Sequence, residues 1–70
     1  MDKELRQVLV GKFWTRFHEL LDFIESLGWY VEYATEEYVD ITDATETERY
    51  SLIIGSTGTT LWISDIKNNT

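Results

Sequence analysis

The sequence predicts an α+β domain in which one N-terminal amphipathic helix packs on a four-stranded antiparallel sheet, in the order α-β-β-β-β with meander connections. Three observations predict it. Apolar residues from Leu5 to Leu27 recur at the three-and-four spacing of a helix. After Gly28 the apolar period switches to two, in four separate runs. The breaks between those runs are short, which requires hairpins rather than crossovers. With 70 residues the chain is a single domain, residues 1–70.

The helix is carried by Leu5, Val8, Leu9, Phe13, Phe17, Leu20, Leu21, Ile24 and Leu27, with polar residues on the opposite arc. Gly28 supplies its stop. Gly11 is the weak point, because Gly in a helix interior costs about 1 kcal/mol relative to Ala. A straight helix from Glu4 to Leu27 would run about 36 Å. A domain of this size has a radius of gyration near about 11 Å, so such a helix would overhang. Either the helix bends at Gly11 or its first turns project. The reading adopted is one long helix whose weak point receives a partner or a second copy.

The first strand alternates Trp29, Val31 and Tyr33 with Tyr30 and Glu32. The second alternates Val39 and Ile41 with Tyr38, Asp40 and Thr42. The third sets Tyr50, Leu52 and Ile54 against Arg49, Ser51 and Ile53, and the fourth sets Leu61 and Ile63 against Thr60, Trp62 and Ser64. The first-named set of each strand is the expected core, facing the helix. The second set is the open face. Breaks fall at 35–37, 43–48 and 55–58, and the polar tail 67–70 is expected to fray.

Composition narrows the functions. There is no Cys, so neither disulfides nor thiolate metal sites are available. Three Trp, four Tyr and three Phe provide the material for a dense core instead. No apolar run approaches the roughly 20 residues of a bilayer span. The start, Met1-Asp-Lys-Glu-Leu-Arg6, is not a secretory leader, and a cytoplasmic protein is expected. The formal charge is −7, of which −1 falls in residues 1–28 and −6 in residues 29–70. Direct binding to nucleic acid or to an anionic membrane is therefore not expected.

Catalytic chemistry finds little support. The single His, His18, sits on the polar arc of the helix beside Glu19. The run Gly55-Ser-Thr-Gly58 lacks the Lys and the following helix of a phosphate loop. Asp40, Asp43, Glu46 and Glu48 could ligate Ca²⁺ through oxygen, but the EF-hand spacing is absent. No enzyme activity and no cofactor are expected.

A binding function fits better. The open face mixes Tyr30, Tyr38 and Trp62 with carboxylates and hydroxyls, the composition of an interface core. Glu36, Glu37, Asp40, Asp43, Glu46 and Glu48 add a dense negative field. Alternate strand residues stand about 6.6 Å apart, so a row of carboxylates there would imitate a row of phosphates. The expected partner is a basic, nucleic-acid-binding protein, blocked or regulated by a DNA-mimicking surface. The bland alternative is that acidic loops only keep the chain soluble and its edges unpaired. Two further alternatives are a structural or housekeeping homodimer and a small metal or ligand binder. In tiny size, acidity and α+β layout the chain is similar to the general run of phage-encoded inhibitors of host nucleic-acid enzymes, a likeness of type and not of motif.

Overall fold

The structure, a computed structural model, describes residues 2–70, and at Asp2 the backbone only. It is α+β. The elements in chain order are α1 (Asp2–Leu9), β1 (Phe13–Trp14), α2 (Phe17–Ser26), β2 (Tyr30–Ala34), β3 (Tyr38–Thr42), β4 (Arg49–Thr57) and β5 (Thr60–Asn68). The five strands form one antiparallel sheet in the order β1-β5-β4-β3-β2. From β2 to β5 this is the expected meander. The sheet curls into a half-barrel, and α2 touches both of its edge strands, β1 and β2.

The single long helix is corrected to two helices with a strand between them. Gly11 adopts φ +94°, a conformation that an L side chain resists and that ends the helical path. Phe13 and Trp14 then pair with Trp62 and Leu61 of β5, which adds the fifth strand. Glu19 starts the second helix, since its carboxylate accepts the Arg16 N–H at 3.1 Å and the Thr15 hydroxyl at 2.8 Å. Gly28, at φ +92°, closes it as expected.

The concave side of the sheet holds the core. Leu5 and Leu9 of α1, with Leu20 and Ile24 of α2, are buried against Val39, Ile41, Tyr50, Leu52, Ile63 and Ile66. Trp29, Val31 and Ile54 pack around this cluster half-buried. Trp29 meets the Tyr50 ring edge-on at 5.5 Å. Burying an aliphatic side chain stabilises by roughly 1.5–3 kcal/mol, so nine such residues together with Tyr50 are a substantial core for a short chain.

Two β-bulges change which residues face inward. In β2 the register shifts between Val31, opposite Ile41, and Tyr33, opposite Asp40. Glu32 is the extra residue, and it turns Tyr33 outward, 56% exposed, against the expectation that it lines the core. In β5 the shift lies opposite Ile53 and Ile54, where the Ser64 hydroxyl donates to the Ile53 carbonyl at 3.2 Å. That bulge brings Ile66 inward opposite Leu52.

Three smaller differences follow from the same register. The run at 55–58 is mostly strand, and the β4–β5 hairpin turns only at Gly58 and Thr59. Gly58 has φ +56°, which suits Gly at a tight turn. Thr42, expected on the open face, is 4% exposed because it lies between Tyr30 and Arg49 and donates its hydroxyl to the Glu48 carbonyl at 3.2 Å. The tail is tied down: the Asn69 N–H donates to the Arg49 carbonyl at 2.7 Å, and the Thr70 hydroxyl accepts the Arg49 N–H at 3.0 Å.

Candidate functional site

The helices fill the concave side, which leaves the convex side of the sheet without a covering element among the described residues. The register assigns its side chains strand by strand. Tyr38 stands opposite Ile53, Gly55 opposite Trp62, and Trp62 opposite Phe13. Tyr33 stands beside Tyr38, with ring centroids 5.9 Å apart. Phe13 meets the Trp62 indole edge-on at 6.3 Å. Ile53 and Gly55 are two residues apart on one strand and so share this face. The result is one apolar band, Tyr33–Tyr38–Ile53–Trp62–Phe13, that crosses all five strands.

The band is accessible. Phe13 is 66% exposed, and Tyr38, Ile53 and Trp62 are half-buried beside it. Gly55 lets the Trp62 indole lie against the β4 backbone. A large exposed aromatic band on a small protein is the kind of patch that marks an interaction surface.

Below the band runs a polar row. Asp40 stands opposite Tyr33 on one side and Ser51 on the other, and accepts the Ser51 hydroxyl at 2.6 Å. Ser51 in turn accepts the Asn69 amide. Asp65 stands opposite Ile53, with Arg6 of α1 at 3.7 Å. Arg6 also donates to the Ile66 carbonyl at 2.8 Å, along the part of β5 that β1 does not cover.

The structure separates the carboxylates that the sequence grouped. Glu36 and Glu37 are exposed in the β2–β3 turn, and Glu36 lines a hollow with Thr15, Phe17 and Leu61. Asp43, Glu46 and Glu48 lie in the β3–β4 loop at the other end of β3, about 20 Å away at a strand's rise per residue. They form no continuous row with Asp40.

Most of the loop carboxylates have local work. Asp43 accepts the backbone N–H of Thr47 at 2.8 Å and of Glu48 at 3.1 Å, together with the hydroxyls of Thr45 and Thr47. The Glu48 N–H above all holds its carboxyl down at about 2. Glu48 accepts the Tyr50 hydroxyl at 3.0 Å. Arg49 lies 3.5 Å from Glu32 and 3.6 Å from Glu46. Glu46 itself has φ +60°, an unusual conformation for a residue with a side chain.

Tyr30, 59% exposed, is at this same end and apart from Tyr38 and Trp62. With Glu32, Thr42, Asp43, Ala44 and Glu46 it lines an open hollow of about 320 Å³. Among the described residues no group of three or more acidic, His or Cys side chains converges as a metal site, and no helix is long and apolar enough to cross a membrane.

Sequence reasoning missed Phe13 and Tyr33 as members of the band. Phe13 fits the helical spacing, and Tyr33 fits the inward alternation of β2. Only the left-handed Gly11 and the bulge at Glu32 move them outward. No family model matches the chain, and no curated protein or solved structure matches it either.

Proposed function

We propose that this protein is a small, non-enzymatic binding module that inhibits or regulates a basic, nucleic-acid-binding protein. The observation that carries the reading is the uncovered aromatic band on the convex face, with Asp40 on the same face and Glu36 and Glu37 in the adjoining turn, on a chain of charge −7. The negative field would steer a basic partner into contact, and the desolvated rings would slow its departure. A homodimer through the same face would stack two convex surfaces of like charge, which weighs against self-pairing.

The test uses three baits of equal fold, checked by circular dichroism: the wild-type protein, Glu36→Lys with Glu37→Lys, and Tyr38→Ser. Each is presented to a lysate of the source organism and washed at low and then high salt. The expected result is a nucleic-acid-binding protein that the wild type retains, that salt or added nucleic acid releases, and that both variants lose. Equal retention on all three baits, or retention of no such protein, overturns the proposal.

A further inference from the structure

Resting on that reading, we infer that the convex face stands in for a single-stranded nucleic acid, not a duplex, and that its occupant is a basic groove that binds single strands. Three features of the face lead there. The first is the kind of group displayed. A duplex hides the faces of its bases in the stack, so a protein approaching from outside meets phosphates and base edges. A single strand offers phosphates and unstacked ring faces together. The convex side displays rings and a carboxylate together, with Tyr33 opposite Asp40.

The second feature is spacing. Residues directly opposite on neighbouring strands have Cβ atoms about 4.5–5.5 Å apart. Tyr33 and Asp40 are therefore close enough for one groove to meet a ring and a charge side by side. A duplex surrogate would need charges in two long rows. Here Glu36 and Glu37 are separated from Asp43, Glu46 and Glu48 by the length of β3, and Asp43 is turned into its own loop.

The third is shape and charge. The face is convex, so it enters a groove and does not enclose a strand. Grooves for single strands line a basic channel with aromatic side chains on which bases stack. Such a channel complements a chain of charge −7 that carries Tyr33, Tyr38, Trp62 and Phe13 in one band.

The experiment takes the protein retained by the wild-type bait and follows two fluorescent probes by anisotropy, an oligothymidylate and a mixed-sequence duplex. The wild-type protein is expected to displace the oligothymidylate competitively. Phe13→Ser, an exposed position, is expected to weaken that competition about fivefold, the lower end of one lost stacking contact. Trp62→Leu, which keeps an apolar side chain over Gly55, should do the same. Displacement of the duplex alone overturns the inference and leaves the regulatory reading standing. Binding of the oligothymidylate by this protein itself, or self-association at the working concentration in sedimentation, also overturns it. Retention of no nucleic-acid-binding protein removes both.

Discussion

The indole of Trp62 occupies the space that a side chain on Gly55 would fill: a Cβ built there would lie 2.5 Å from Cε2 and 2.9 Å from Cζ2. This cross-strand pair anchors the centre of the aromatic band. Gly55→Ala must push the indole off the β4 backbone, and it is expected to destabilise by about 1–3 kcal/mol, as overpacking does. Chemical denaturation measures this. The double variant Gly55→Ala with Trp62→Ala should be less destabilised than the two single changes sum to, because the clash has gone. Strict additivity would show that the two residues do not couple.

Gly11→Ala tests the break between the helices. Nothing lies within 4 Å of a Cβ placed there, so the cost is one of backbone conformation alone. The expected loss is about 1–2 kcal/mol. A D-alanine introduced at this position by chemical synthesis should restore the stability. An L-alanine variant as stable as the wild type would mean that the chain does not need the left-handed turn.

Leu9 and Val10 are adjacent at the end of α1, but only Leu9 is fully buried. Leu9→Ala should cost about 2–5 kcal/mol. Val10→Ala, which is half exposed, should stay within about 0.5 kcal/mol. Similar melting temperatures for both variants would mean that α1 is not docked on β5.

Asp43 contributes to the acid limb of the stability curve. Its carboxyl is held at about 2 in the fold, below its ordinary value of 3.8. A depressed carboxyl contributes stability that is fully present above its unfolded value and is lost as the pH falls through the folded one. Asp43→Asn should therefore melt below the wild type at neutral pH, and the gap should close between pH 3.8 and about 2. A gap that stays constant down to pH 2 would remove the carboxylate from the explanation.

Much of the fold was legible because hydrophobic period is a local property. The switch after Gly28 marked β2 and β3 and placed Val39, Ile41, Leu52 and Ile63 in the core, where they lie. What was not legible depends on partners far away in the chain. Phe13 and Trp14 read as helix until Trp62 and Leu61 are known to pair with them. Tyr33 read wrongly, and Ile66 went unassigned, because strict alternation assumes no bulge, and an extra residue reverses every later side chain. The candidate site was half visible for the same reason. Tyr38 and Trp62 were assigned to the open face, whereas the carboxylates that looked continuous in sequence are split between the two ends of β3.

The pairing of β1 with β5 also sets a timetable. Phe13 and Trp14 pair with Trp62 and Leu61, which lie 49 and 47 residues further along the chain. Closing that span is slow compared with forming a local hairpin. Until then the hairpins of β2 to β5 can form, and α2 can dock on its sequence neighbour β2, while β1 waits for its partner. The two residues of β1 are thus expected to be among the last to find their place in the sheet, after the local hairpins.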